Sequence, residues 1–318
     1  MIEPQNADAE YAFVQHFCVP FLVTAQNQDG GWGFEANSES RVEPTCWAMR
    51  ALLNSATPAS QECLSSAYHY LLSGQLKDGA WPAMSQTDTG SWVTSLVCSI
   101  LSVERQYENN VRAGLKWLCN DHPRDSRLWR RILGRIRSRE AISSHDDSFR
   151  GWGWTPRTAS WVEPSSFAMQ ALCDSPESWR PRESSSRLEL AAGLLYDRMC
   201  PSGGWNCGNP MVYGTAGEPL VLSTCWALLA LRNYGQHQRK TVSLEWLAKT
   251  FPAIPSAASL AIARITLESY GIALPKTRQS LHEMFDVRAF QCTVLAVSWT
   301  SLALSPKRTW FPKAENRL

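Results

Sequence analysis

Two stretches of the chain, FLVTAQNQDGGW at residues 21–32 and YLLSGQLKDGAW at residues 70–81, follow the same pattern. In both, an aromatic residue and a leucine precede a glutamine, a glycine and a tryptophan at equal spacing. The shared positions are Gln26, Gly30 and Trp32 in the first copy and Gln75, Gly79 and Trp81 in the second. Two matches of this length indicate a repeat, and a repeat with a fixed period determines the architecture of the chain.

Two shorter copies extend the pattern. The segment DDSFRGWGW ends at Trp154, and the segment CPSGGW ends at Trp205 with Cys200 near the glutamine position. Successive tryptophans are then separated by 49 (81 − 32), 73 (154 − 81) and 51 (205 − 154) residues. The middle interval therefore contains an insertion of roughly 24 residues in a helix-pair repeat of about 50.

Apolar runs follow the tryptophan turns, and two weaker runs occur later in the chain. These runs begin at Thr45, Ser91, Ser165, Ser223, Ser256 and Ala289. A segment with a one-sided apolar stripe, such as Phe13, Phe17 and Phe21, precedes each run. A helix that is apolar on all sides and alternates with an amphipathic one suits a closed ring, because its inner layer never meets bulk water. We therefore predict an all-α fold, an (α/α)6 toroid of about six helix pairs, as a single domain over residues 1–318.

Glycines recur at the turns between outer and inner helices, where we expect positive φ angles and close approach of the backbone. They are Gly30, Gly31, Gly79, Gly151, Gly203 and Gly204. The neighbouring tryptophans and glutamines are expected to pack between repeats as structural residues.

Composition narrows the class of partner and the compartment. The 31 basic and 29 acidic residues give a formal charge of +2, too close to balance for a nucleic-acid partner. The chain has neither an apolar stretch near 18 residues nor a secretion signal, so we expect a cytoplasmic protein. The ten cysteines include no C-x-x-C pair, and Cys46, Cys98, Cys225 and Cys292 fall in apolar patterns that indicate burial. A Cys207–Cys225 pair stays open on spacing alone.

The insertion, placed at residues 121–150, is strongly basic. Its core, PRDSRLWRRILGRIRSREAI at residues 123–142, gives an amphipathic helical pattern with arginines on one side. Such a helix can contact an anionic membrane surface, here through residues 124–139, or another polyanion. It can equally dock its apolar side on the rim of the toroid. Both readings stay open.

The Gln-Gly-Trp motif resembles the repeated motif of squalene-hopene and oxidosqualene cyclases. The alternating helix pairs also resemble the β-subunits of protein prenyltransferases. The motif copies span residues 32–205, and compatible helix pairs continue to about residue 304. The resemblance implies the toroid fold and an isoprenoid or other apolar small molecule as the partner.

Class II terpene cyclases of this kind carry an Asp-x-Asp-Asp sequence, and its middle aspartate protonates an alkene or epoxide. At the corresponding position, RVEPTCWAMRAL contains Glu43 in place of that acid, and the motif itself is absent. A second copy, SWVEPSSFAMQAL, places Glu163 at the same phase of another repeat. Both glutamates are candidate catalytic acids, because burial in a dry cavity raises the pKa of a carboxyl group. Alternatively, each Glu-Pro pair starts a helix, where the helix dipole favours the charged carboxylate.

Aromatic residues on the inner helices are candidates for substrate binding. The residues at one common phase are Trp47, Phe167, Trp226 and Trp299, and those at other helix starts are Trp92 and Trp161. Facing a cavity, these rings would stabilise a carbocation or an isoprenoid chain. Facing outward, they would form core between the two helix layers.

We predict no metal and no cofactor. Prenyltransferase β-subunits hold zinc through an aspartate, a cysteine and a histidine, whereas the comparable region here offers Cys207, Glu218 and Cys225 without a matching histidine. Asp146 and Asp147 supply too few carboxylates for a magnesium-diphosphate site.

The sequence thus favours an isoprenoid-handling enzyme that resembles a single-domain class II terpene cyclase. Two alternatives stay open. One is a toroid without catalysis that binds an isoprenoid or a protein partner. The other is a glycan enzyme that pairs Glu43 with Glu163 or Asp88.

Overall fold

The computed structural model describes residues 4–305 except 56, 122, 124–144, 147, 236 and 288–291, and it leaves out the side chains of 4–7, 237, 286 and 287. The predicted basic helix of the insertion, with its membrane contact at 124–139, lies outside the described residues. The described chain is helical apart from turns, loops and one small hairpin, in which Met211–Val212 pairs antiparallel with Thr215–Ala216. The predicted all-α class is therefore confirmed.

The inner helices are buried on nearly all sides, as their apolar runs predict. They are α3 (Val42–Ser55), α5 (Val93–Leu101), α7 (Val162–Asp174), α9 (Val221–Ala230), α11 (Ala257–Ser269) and α13 (Val294–Leu304). Every residue of α5 is buried. A helix with no solvent face needs no polar stripe, which agrees with the mostly apolar sequences of these segments.

The outer helices bury one side only. They are α1 (Pro4–Phe13), α2 (Val19–Thr24), α4 (Pro58–Ser73), α6 (Glu108–Asn120), α8 (Ser184–Asp197), α10 (His237–Thr250) and α12 (Leu281–Val287). A π-helical turn, Val14–Cys18, joins α1 to α2, so that the two form one continuous outer segment. Along this segment the rings of Phe13 and Phe17 stack with their centres 4.8 Å apart.

The chain divides into two compact units. The first comprises Met1–Gln75, Trp81–Asp88 and Ala248–Pro312, and the second comprises Leu76–Ala80, Thr89–Leu247 and Lys313–Leu318. In the first unit, α13 packs between α11 and α3, and α4 covers α3. In the second unit, α7 packs between α5 and α9, while α6 covers α5 and α8 covers α7. The organisation of residues 1–318 as a single domain stays a prediction.

Each tryptophan turn is tied to the preceding outer helix by the indole nitrogen. The indole N–H groups donate from Trp32 to the Leu22 carbonyl (2.7 Å), from Trp81 to Leu71 (2.6 Å), from Trp205 to Leu195 (2.5 Å) and from Trp152 to Leu118 (2.8 Å). The acceptor lies 10 residues earlier in three turns and 34 residues earlier at Trp152. The difference, 34 − 10 = 24 residues, matches the number of extra residues expected before the third turn, while the insertion at residues 121–150 stays a prediction.

The third repeat tryptophan is Trp152, so its placement at Trp154 is wrong. The backbone N–H of Trp152 donates to the Ser165 hydroxyl (2.9 Å), as that of Trp32 donates to Thr45 (2.9 Å). The sequence GWGW offers two tryptophans that both follow a glycine, and only the hydrogen bonds distinguish them. Because Thr45 and Ser165 are equivalent, Glu43 and Glu163 do occupy the same helical position, as predicted.

The turn glycines fall into two groups. Gly30, Gly79, Gly203 and Gly204 have φ angles of 88°, 94°, 89° and 73°, which confirms their predicted role. The prediction of positive φ is wrong for Gly31 and Gly151, neither of which has such an angle. Close packing explains Gly31 instead, because a Cβ there would lie 2.7 Å from Ser40 Cβ.

The cysteines are all reduced. None of the ten, each of which lies in the described part of the chain, forms a disulfide, so the pair Cys207–Cys225 does not exist in this structure. Cys46, Cys98 and Cys225 are buried as predicted. Cys292 is only half-buried, because it lies just before α13 rather than inside it. Among the described helices, none has the length and apolar character needed to cross a membrane.

Candidate functional site

Glu163 lies in the first turn of α7, where the backbone of the tryptophan turn places it. Trp161 caps the helix in an extended conformation, and its N–H donates to the Trp152 carbonyl (2.9 Å). Glu163 is half-buried, and its Oε1 accepts a hydrogen bond of 2.9 Å from the hydroxyl of Ser223. Ser223 is fully buried in the first turn of α9. The carboxyl group is therefore held between two neighbouring inner helices.

Two opposing effects act on the acidity of Glu163. Burial raises the pKa of its carboxyl, the Ser223 hydrogen bond lowers it, and the net direction is upward. Burial thus opposes the stabilisation of the charged carboxylate that is expected at a helix start. The thiol of Cys207 faces the same group: its own partial burial and then the Glu163 charge raise the pKa of Cys207.

Aromatic residues follow Glu163 and Ser223 one turn later on the same two helices. Phe167 lies one turn after Glu163, and Trp226 lies one turn after Ser223, so both residues point to the same side as the carboxyl contact. The ring centres of Phe167 and Trp226 are 4.9 Å apart. Trp92, just before α5, stacks on Phe167 with the ring centres 5.2 Å apart. Three of the predicted substrate-binding residues thus form one group.

Trp154 extends this group to a fourth ring and was not among the predicted site residues. Its ring meets Trp92 edge to face with the centres 5.1 Å apart, and its carbonyl accepts from the Trp92 N–H at 3.1 Å. We call the rings of Trp154, Trp92, Phe167 and Trp226 the aromatic row. Trp161 is not part of it, because its half-buried ring makes no aromatic contact with the described residues.

The first unit contains a second acid and a second aromatic pair. Glu43 is half-buried in the first turn of α3, at the position equivalent to Glu163. One turn later, Trp47 meets Trp299 of α13 edge to face, with the ring centres 5.6 Å apart. The buried guanidinium of Arg50 lies 5.6 Å from the centre of the Trp47 ring. The repeat therefore places an acid and an aromatic ring at the same two positions of α3 and α7.

A cavity of about 190 Å³ lies in the first unit, apart from these residues. The lining side chains are Tyr11, Val14, Gln15, Ala51, Asn54, Ser55, Ser301 and Ser305. None of the predicted site residues lines it. Among the described residues, no three His, Cys, Asp or Glu side chains come together in a way that could hold a metal ion.

Comparison with known proteins gives matches by sequence and by structure. No protein-family model matches the chain. Drimenyl diphosphate synthase from Streptomyces showdoensis is 22% identical over 247 residues, which cover 66% of this chain and 45% of that protein. The chain thus spans less than half the length of this curated relative.

Solved structures match over nearly the whole chain. A protein from Actinoplanes matches with a TM-score of 0.56 and 15% identity, over 96% of this chain and 84% of the other. A variant of the type II terpene cyclase MstE from Scytonema matches with a TM-score of 0.54 and 14% identity, over 95% and 79%. Another MstE variant, in complex with geranylgeranyl dihydroxybenzoate, matches with a TM-score of 0.52 and 15% identity, over 93% and 80%. The chain therefore has the all-α fold of the type II terpene cyclases, as its tryptophan repeats predict.

Proposed function

We propose that this chain is an isoprenoid-handling enzyme in which the Glu163 carboxyl starts a cyclisation by protonating a carbon–carbon double bond. One observation carries the proposal: a carboxyl whose pKa burial raises lies beside a continuous row of aromatic rings. Alkene protonation needs an acid that holds its proton at the working pH, and burial shifts the pKa of Glu163 in that direction.

In the proposed step the O–H bond of the acid breaks while the alkene electrons form a new C–H bond. The product of this step is a tertiary carbocation and the Glu163 carboxylate. A second double bond of the same molecule then attacks the cation and closes a ring, and loss of a proton from carbon to a base ends the reaction. The product is an isomer of the substrate, so that no oxidant, reductant or cofactor is consumed.

The aromatic row would stabilise the carbocation that forms after protonation. The face of an aromatic ring carries negative charge density and attracts a cation by about 0.5 to 2 kcal/mol, more strongly where water is absent. Phe167 and Trp226 are buried, with 6% and 3% of their surface exposed, so water competes little at these two rings.

Two named relatives support an isoprenoid with a polar head group as the substrate class. One is called a drimenyl diphosphate synthase, and MstE was solved in complex with geranylgeranyl dihydroxybenzoate. Because the chain spans 45% of the synthase, we propose the substrate class alone and not that protein's complete reaction.

Glu163 is the acid that we test first, and Glu43 is its equivalent in the repeat. Glu163 combines a pKa raised by burial with a hydrogen bond that orients one oxygen. Glu43 is retained as the second acid to be tested, because α3 also carries a ring one turn further on.

The test is incubation of the purified chain with squalene and with C10 to C25 prenyl diphosphates, followed by extraction and mass spectrometry. We expect a cyclised isomer from the wild type and from Glu245→Gln, a control at an exposed glutamate of the same unit. Glu163→Gln should abolish the product, because an amide cannot supply the proton. A product lost only in Glu43→Gln would move the acid to α3. No turnover, with an isoprenoid that co-purifies with all variants, would refute catalysis and favour an isoprenoid-binding protein.

A further inference from the structure

The buried hydroxyl of Ser223 makes a specific hydrogen bond to the candidate acid. Ser223 has no exposed surface, and its Oγ lies 2.9 Å from Oε1 of Glu163. The next residue of α9, Thr224, has a different partner, since its hydroxyl accepts from the Trp205 N–H at 2.9 Å. The two adjacent hydroxyl groups thus have different partners among the described residues. Thr224 bonds to the backbone of the tryptophan turn, and Ser223 bonds to the carboxyl of Glu163.

This contact distinguishes the two oxygens of Glu163. A serine hydroxyl has a single proton to donate, and here it is donated to Oε1. In the protonated carboxyl, the oxygen that accepts such a bond is the carbonyl oxygen. The acidic proton then belongs to the other oxygen, Oε2.

We propose that Ser223 is the positioning residue of the Glu163 carboxyl: by occupying Oε1 it leaves the transferable proton on Oε2. The inference deepens the proposed function and rests on it for its catalytic meaning. The same hydrogen bond stabilises the carboxylate that remains after proton transfer, because a hydroxyl donor interacts more strongly with a charged acceptor than with a neutral one. Ser223 therefore makes a buried acid stronger without removing it from its buried site.

The surroundings contribute one other titratable group. Among the described residues, the Cys207 thiol interacts electrostatically with Glu163, and the Cys207 carbonyl accepts a hydrogen bond from the Val162 N–H at 3.2 Å. The rings that approach from α5, α7 and α9 are uncharged. A Cys207→Ser background removes the thiol, so that a titration then reports on Glu163 and Ser223.

The test measures the pKa of Glu163 directly, by ¹³C NMR on protein labelled at the glutamate carboxyl carbons. The signal is assigned by its loss in Glu163→Gln. We expect Ser223→Ala to move the midpoint upward by about one to two pH units, from the usual strength of a hydrogen bond to a charged group. Ser223→Thr keeps a hydroxyl and should return the midpoint toward that of the wild type.

The matched control is Ser175→Ala, at a buried hydroxyl just past the far end of α7 that donates to the Ala171 carbonyl (2.8 Å). It should leave the titration unchanged. With a substrate in hand, Ser223→Ala should lower kcat while KM stays near its wild-type value, and Ser223→Thr should recover part of the loss.

The outcomes separate the two proposals. An unshifted midpoint in Ser223→Ala would overturn the positioning role and leave the proposed function standing if Glu163→Gln still abolishes turnover. If the midpoint shifts in Ser223→Ala but the wild-type protein shows no turnover, the proposed function is refuted. The effect of Ser223 on the Glu163 proton would still stand.

Discussion

Replacing Trp205 tests the physical basis of the repeat. Its ring is fully buried, and its indole N–H donates to the Leu195 carbonyl of α8 at 2.5 Å. Trp205→Phe leaves that carbonyl without its donor, which costs about 1 to 3 kcal/mol in a buried site. The smaller ring also leaves a cavity that costs on the order of 1 kcal/mol. We therefore expect the free energy of unfolding to fall by roughly 2 to 4 kcal/mol.

Urea unfolding followed by tryptophan fluorescence and circular dichroism measures this loss. The matched control is Trp161→Phe, at a half-buried ring whose indole nitrogen has no hydrogen-bond partner among the described residues. Incorporating β-(3-benzothienyl)alanine at position 205 keeps the shape of the ring and removes the N–H, which isolates the hydrogen bond. A loss at position 205 no larger than that of Trp161→Phe would refute the idea that the indole bond holds the turn.

Three further predictions concern stability. The buried side chains of Glu10 and Arg264 form an ion pair with two contacts, at 2.7 and 2.9 Å, so Glu10→Gln should lower the free energy of unfolding in urea by about 3 to 5 kcal/mol. Glu108→Gln, in the exposed pair with Arg112, should lower it by under about 1 kcal/mol. Equal losses would contradict this prediction. Because burial raises the pKa of Glu163 above its ordinary 4.5, the wild type should lose stability relative to Glu163→Gln as the pH rises from 4.5 through the pKa of the folded state. Below pH 4.5 the difference in melting temperature between the two proteins should not change with pH. A difference that is independent of pH over the whole range would disprove this prediction. Gly79→Ala should destabilise the protein strongly in thermal melts, since φ is 94° and a Cβ would lie 2.7 Å from the Ala113 carbonyl oxygen. Gly235→Ala should be nearly neutral, because there is open space around this residue. A tolerated Gly79→Ala would count against the role of the turn glycine.

The repeat made most of the fold predictable from sequence. All four turns use a tryptophan for a hydrogen bond to the outer helix, and three of them use a glycine with a positive φ angle, so the same local structure recurs at a regular period. The same periodicity correctly placed Glu43 and Glu163 at equivalent positions. It failed at GWGW, because two adjacent glycine-tryptophan pairs satisfy one local pattern and only long-range bonds select Trp152.

The site was less predictable because its contacts join distant parts of the chain. Ser223 and Glu163 are 60 residues apart, and their bond exists only because α7 and α9 pack side by side. Likewise, Trp154 contacts Trp92 although 154 − 92 = 62 residues separate them along the chain. The direction of the Glu163 pKa also required the fold, since the sequence showed the helix start but not the extent of burial.

Protonation from the enzyme itself is tested most directly by running the reaction in D₂O. If Glu163 starts the cyclisation, its exchangeable proton is replaced by deuterium, and each product molecule should carry one deuterium on carbon at the end where the reaction begins. Product masses measured for the wild type and for Glu163→Gln then decide the question. We expect singly deuterated product from the wild type and none from the variant. An undeuterated product, or a deuterated product that Glu163→Gln still forms, would contradict Glu163 as the acid.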